Sequence, residues 1–303
     1  MELSDREASL RHSVGKLSSN ADDPDIVVNA LTTIRAEIRT SPEGGAWVMK
    51  VCCFPAADVT PFPAPNASWS NRILTEHVCV CIPCLQAYLQ TSPGFTDLLD
   101  LWDSHHVNNS HKVCVPLLCL VADMLRQPQV NDKTADSYVN LQLDGLARNI
   151  LQRRMRSVYS HLTSGIRVRH NCALSLCASI AARNKQLTWE LYRNFDFTLS
   201  TLTKLAMPPR TGVSLRQIGD RCRCGAQNAW GGLDPLTLST REVYTEFVLS
   251  FFEAQDQALL CPVLARKVLL GNVLRFLACD SPCTIKRVLK FISDIVLSSD
   301  GNV

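Results

Sequence analysis

Apolar residues recur every three or four positions through most of this sequence, and almost nowhere do they alternate one-for-one with polar ones. A 3.6-residue repeat winds such positions onto one face of a helix, whereas a half-buried strand needs a repeat of two. The clearest run is Leu143, Leu146, Ile150, Leu151, Met155, Val158, Tyr159 and Leu162, whose steps predict that all eight side chains share one stripe. Gly165 follows as a stop. A second helix is predicted over 170–183, burying Ala173, Leu174, Leu176, Cys177 and Ile180, and the two should form an antiparallel pair.

The same periodicity predicts a helix through Ile26, Val27, Ala30, Leu31, Ile34 and Ile38, with Asp23 and Pro24 suited to its N-cap and first turn. It returns at Ile73, Leu74, His77, Val78 and Cys81, passes a kink at Pro83 to Leu85, Tyr88 and Leu89, and reappears between Val113 and Leu125. A shorter element is expected near Leu199 to Ala206. Ser239 and Glu242 have the capping-box spacing ahead of Val243, Tyr244, Phe247, Val248, Phe251 and Phe252. Two further helices follow, one through Val263, Leu270, Val273, Leu274 and Leu277, and one opened by Ser281-Pro282 and carrying Ile285, Val288, Leu289, Ile292 and Val296.

The fold class read from this pattern is all-α, an α-solenoid of stacked helix pairs of the HEAT or armadillo-like kind, although no strict repeat is present. Two segments interrupt it. Pro55, Pro61, Pro63 and Pro65 make 54–71 a loop, and Pro208, Pro209 and Pro235 with scattered Gly and Cys make 207–238 another. The chain therefore divides into a helical region over 1–139 and a helical-repeat domain over 140–299 that carries the second loop as an insertion.

At 303 residues and 46% hydrophobic content the chain can bury a large core. No stretch supplies the roughly 20 consecutive apolar residues of a membrane span, and the first twenty residues lack the apolar segment of a secretory signal. An intracellular protein, cytosolic or nuclear and without a membrane, is expected. In that compartment the fourteen cysteines read as reduced, and those among Leu, Val and Ala, such as Cys172, Cys177 and Cys279, as small buried hydrophobes. The sequons at Asn66 and Asn108 then carry no glycan.

Candidate chemistry is sparse. Cys79, Cys81 and Cys84, with His77 before them and Cys52-Cys53 upstream, offer soft metal ligands, but Cys79 and Cys81 face different sides of a helix and no second ligand pair completes a tetrahedron. Cys222 and Cys224 lie beside Arg221 and Arg223, which could activate a thiol, yet they read as an exposed pair in a loop. His105, His106 and His111 read as a solvated connector after Trp102-Asp103. No phosphate-binding Gly loop, nucleophile elbow or His-Glu-x-x-His occurs. The reading is a non-enzyme with no cofactor, no metal and no small-molecule substrate.

Charge is more informative. Net charge is only +3, yet from Gly145 through Gly219 twelve Lys or Arg face two acids, Glu190 and Asp196, so the rest of the chain carries about −7. Arg153, Arg154, Arg156, Arg167 and Arg169 cluster on one helix and the turn after it, where they could meet phosphates or an acidic partner.

Three blocks in order, YSHLTSG at 159–165, RVRHNCALSL at 167–176 and NFDFTL at 194–199, are joined by VYTEFVLSFFE at 243–253, the Leu-rich helix to Leu277 and Asp280-Ser281-Pro282. Together they resemble the N-terminal domain of the nucleolar pre-ribosomal-associated protein family over about residues 140–299. The resemblance implies a large helical scaffold of the nucleolus, in the nucleus, acting in early 60S-subunit assembly and large-subunit rRNA maturation without catalysis of its own. Its implied partners are pre-ribosomal particle proteins and pre-rRNA. Members are much longer than this chain, which is then expected to be a fragment, a truncated gene model or a divergent short relative. The rival reading is an armadillo-like adaptor that binds a peptide or helix in its groove and never touches RNA.

Overall fold

The computed structural model describes residues 3–39, 82–107, 111–126 and 135–193, together with single positions between 236 and 293. Among these the secondary structure is entirely helical, with no strand, as the periodicity requires. The helices are α1 (Leu3–Ser19), α2 (Pro24–Arg39), α3 (Ile82–Thr91), α4 (Thr96–Val107), α5 (His111–Leu125), α6 (Ala135–Asn149), α7 (Met155–Leu162), α8 (Arg167–Arg183) and α9 (Lys185–Arg193).

Local sequence explains several of the ends. The Asp23 carboxylate accepts from the backbone N–H groups of Asp25 and Ile26 at 3.0 and 3.2 Å, so it caps α2, and Pro24 opens the first turn, where its missing donor costs nothing. Pro83 likewise falls in the first turn of α3. Asn184 caps α9 by accepting from Leu187 N–H at 2.8 Å. Between α3 and α4 a short 3-10 turn places Gly94 and Phe95 at φ 68° and 57°, and the Phe95 ring is fully buried 5.5 Å from that of Tyr88. A non-glycine residue in the left-handed region costs about 1–2 kcal/mol, which burial of a phenyl ring offsets.

α6 and α7 are one long helix interrupted by a wider π turn over Ile150–Arg154. At 3.6 residues per turn, Leu162 lies about 100° around the axis from Leu143, so an unbroken α-helix would rotate its apolar stripe off the core. One extra residue in the wide turn removes that rotation. Leu143, Leu146, Ile150, Leu151, Met155, Val158 and Leu162 are accordingly all buried. Tyr159 is not. It is 45% exposed, which corrects the expectation that it shares the stripe.

α5 sits between α2 and α8, and these three helices form one row. α1 packs on α2 and α3, α6 on α3, and α7 and α9 on α8. α8 is the most enclosed element: every residue from Asn171 to Ala181 is buried, and its Ala, Ser and Cys side chains admit neighbours on all sides. The row is also tied by charges. Asp123 on α5 is buried against Arg35 Nε at 2.6 Å and Arg39 Nε at 3.3 Å, both from α2. Arg6 of α1 bonds both the carboxylate and the backbone carbonyl of Glu37, and Arg183 of α8 is held by Asp144 and Asn140 of α6.

Val243, Tyr244, Phe247 and Val288 are helical and buried, whereas Leu274 and Leu289 are helical and exposed, against the expectation that they line apolar faces. The predicted loops at 54–71 and 207–238 (apart from exposed Leu236) and the element near 199–206 lie outside the described residues.

Candidate functional site

α7 and α8 fold back on each other through residues 163–166. Tyr159 O accepts from Thr163 N–H at 3.0 Å, His161 O from Ser164 N–H at 3.4 Å, and Gly165 takes φ 70°, the left-handed conformation expected of it at a helix stop. This hairpin brings the five arginines singled out from the sequence into one region, and the structure then divides them.

Arg153, Arg156 and Arg167 are exposed, and among the described residues none of the three is paired with a carboxylate. Arg169 is half-buried and its Nε donates to His161 Nδ1 at 3.0 Å, which makes the buried His161 an acceptor at that nitrogen. Arg154 is turned inward. It lies in the π turn, its Nε and terminal nitrogen grip both oxygens of Asp103 on α4 at 2.9 and 2.6 Å, and it also bonds Asn149 and the Leu99 carbonyl at 3.4 Å. The planar guanidinium fork matches a carboxylate in this bidentate geometry. Arg154 therefore anchors α4 to the wide turn, and its fork is already occupied.

The local charge is also smaller than counting along the sequence suggests. Of the twelve basic residues between 145 and 219, Arg154 is neutralised by Asp103, Arg183 by Asp144 and Arg148 approaches Glu190 at 3.8 Å. Asp103 and Asp144 both precede that window. Among the described residues, those left exposed are Arg153 in the π turn, Arg156 on α7, Arg167 at the start of α8 and Lys185 at the start of α9.

That placement runs against helix electrostatics. α8 has no side-chain N-cap and no acid in its first turn, where Arg167 and Arg169 sit next to the positive end of the helix dipole. An arrangement that local energetics disfavours persists where something outside the helix compensates it, and an anionic ligand would do so. Exposed Tyr159 lies three positions beyond Arg156, and Ile166 just before Arg167, so a large aromatic and an apolar side chain are interleaved with the cations. Sequence periodicity places Tyr159 on the buried stripe, where the neighbouring Val158 sits instead.

The other candidates lie elsewhere. His105 is no part of a solvated connector: α4 continues to Val107, and the buried imidazole approaches Ala21 O at 3.0 Å through Nε2, tying α4 to the α1–α2 link. Cys84 is buried on α3, while Cys52, Cys53, His77, Cys79, Cys81, Cys222, Cys224 and Cys279 lie outside the described residues. Cys172 and Cys177 are buried reduced thiols, and burial pushes the Cys177 thiol up to about 12. Among the described residues no cluster of three metal-binding side chains occurs, and no helix is long and apolar enough to cross a membrane.

The family model described as ribosome 60S biogenesis N-terminal matches residues 95–303, so the match takes in α4 and α5 ahead of the blocks that carried the resemblance. No curated protein and no solved structure matches the chain.

Proposed function

This chain belongs to the ribosome 60S biogenesis N-terminal family, Npa1, and from that premise we propose that it is a non-catalytic helical scaffold whose α7–α8 edge contacts pre-rRNA. Family membership places it in 60S ribosome biogenesis, with pre-ribosomal particles as its partners and the nucleus as its site of action. The finer reading is ours: a nucleolar scaffold for large-subunit rRNA maturation, built as an α-solenoid that stacks helix pairs and presents a cationic edge.

The single observation that carries the RNA contact is the exposed set Arg153, Arg156 and Arg167, just before and along a hairpin, 155–183, whose sequence contains no acid. Phosphate contact of this kind releases counterions, so log K falls with log salt by about 0.9 per neutralised phosphate on a duplex and about 0.7 on a single strand. The row formed by α2, α5 and α8, with α1 and α7 packed against its two ends, supports the solenoid reading, since such rows are how helix pairs share one continuous core.

Titration of RNA binding by the purified chain against salt is the test. A slope of roughly −2 to −3 is expected if Arg153, Arg156 and Arg167 each engage a phosphate. Affinity that stays flat as salt rises would exclude phosphate neutralisation and leave the protein-only adaptor. Reversing Arg153 and Arg156 to Glu should abolish RNA binding, while an adaptor would show no RNA phenotype at all.

A further inference from the structure

Among the described residues α5 and α8 form the most extensive helix–helix contact, and small side chains one and two turns on from Cys172, Ser175 and Ser179, share its face of α8. Within that contact, Cys119 Sγ of α5 and Cys172 Sγ of α8 lie 3.1 Å apart, and both residues are fully buried. A disulfide bond is about 2.05 Å long, so bonding asks the two sulfurs to move together by roughly one ångström. Neither the fold, which needs only small apolar side chains here, nor the RNA edge accounts for two thiols meeting face to face.

We propose that Cys119 and Cys172 form an oxidisable dithiol, a covalent modification site at which a hydroperoxide staples α5 to α8. One sulfur, as thiolate, attacks a peroxide oxygen; the O–O bond breaks, a sulfenic acid forms, and the departing oxygen leaves as water with the thiol's proton. The second sulfur then attacks the sulfenic sulfur, the S–O bond breaks, and a second water leaves. In sum, two thiols and one hydrogen peroxide become one disulfide and two waters. Hydrogen peroxide is small and uncharged, so it suits a buried site reached through local opening of the helices.

The pairing is specific by geometry. Cys114 and Cys177 each lie five residues from a member of the pair, roughly 140° around their helices. The Cys114 thiol is directed to His105 O at 3.9 Å. A bond between positions 119 and 172 closes a long loop of chain, and constraining it in the unfolded state should raise the thermal midpoint by roughly 10 °C.

The experiment uses the whole chain, fully reduced and then treated with hydrogen peroxide. Free thiols are blocked under denaturing conditions, and the protein is digested without reductant for mass spectrometry. The expected result is one dominant cross-linked pair of peptides, carrying Cys119 and Cys172, which dithiothreitol separates, together with the raised midpoint. Cys119→Ala and Cys172→Ala should each lose both signals, while Cys177→Ala keeps them. Recovery of Cys119 and Cys172 as blocked thiols, or bonded mainly to other cysteines, overturns the proposal without any variant having to fold. It would leave the RNA reading untouched, since the salt slope depends on neither sulfur.

Discussion

Replacing Arg154 and replacing its neighbours should have opposite consequences, and the contrast tests the division of the arginine cluster. The Arg154 side chain is 9% exposed and its partner carboxylate on Asp103 is 60% exposed. Breaking a fully buried pair costs about 3–5 kcal/mol, but Asp103 can rehydrate once abandoned, so Arg154→Ala should cost nearer 2–3 kcal/mol, including lost packing of the arginine stem. For a chain of this size that is a fall of roughly 5–10 °C in thermal midpoint. The slope of log K against log salt for RNA should not change, because this guanidinium is not available to phosphate. Arg153→Ala and Arg156→Ala should do the reverse, leaving the midpoint within about 1 °C and flattening the slope by about 0.7–0.9 each. Differential scanning fluorimetry and fluorescence anisotropy across a salt series read both quantities on the same samples. Were Arg154→Ala to flatten the slope as the others do, with no loss of stability, the assignment of Arg154 to the interior would be refuted.

Three other outcomes follow from the packing. Asp123→Asn removes the carboxylate that Arg35 and Arg39 share in a buried seam, so urea denaturation should show a loss of about 3–5 kcal/mol that added salt does not reduce. Asp97 accepts from the Tyr88 hydroxyl at 2.5 Å and from Ser92, and burial raises its carboxyl above the ordinary value more than these bonds lower it. A raised folded-state value means that the native protein holds this proton more tightly than the unfolded chain, so stability from this group is complete below pH ~4 and is lost as pH rises through the folded value. Asp97→Asn should flatten that decline in a midpoint-versus-pH series, and an unchanged decline would assign it to other groups. Gly145 lies exposed inside α6, and a methyl group on its Cα would meet nothing within 4 Å, so Gly145→Ala should stabilise the chain by about 0.5–1 kcal/mol in the same denaturation assay.

Much of the helical architecture was legible because it rests on apolar spacing alone. α2, α5 and the α6–α7 pair follow stripes that declare themselves within one element, α8 shows as a run of small and apolar residues, and the cap at Asp23 and the stop at Gly165 depend on neighbours within four residues. α1 was not legible. Among the described residues its buried stripe holds Leu10, Val14 and Leu17 as apolar members, and a fourth position, one turn earlier, is Arg6, buried against Glu37 of α2. α4 was missed in part for a similar reason, since His105 looks solvated until Ala21 O is found beside it. Residues whose burial depends on a polar partner far along the chain carry no periodic signal.

The same dependence governs the candidate site. Counting charge along a window assumes that acids neutralise bases nearby in sequence, whereas here Asp103 reaches Arg154, Asp144 reaches Arg183 and Asp123 reaches Arg35, each across a helix–helix seam. Arginines serve this purpose in a tightly packed helical row because one planar group can satisfy a carboxylate and a carbonyl together, as Arg183 does with Asp144 and Asn140 while burial alone lowers its proton affinity. A cationic region in such a fold is therefore a mixture of ties and free charges, and sequence composition cannot separate them. The helical register can. Arg153 and Arg156 are three positions apart and share the outer face of the α6–α7 helix, while Arg154 is carried inward by the extra residue of the π turn. If that turn is there to absorb one extra residue, deleting Gln152 should restore continuous α-helical winding with Leu162 eighteen residues, a whole number of turns, from Leu143, so that the stripe of α7 stays on the core. The deletion should consequently destabilise the protein by no more than Arg154→Ala does in the same urea denaturation assay, and a variant that loses clearly more would show that the turn does not set the register of α7.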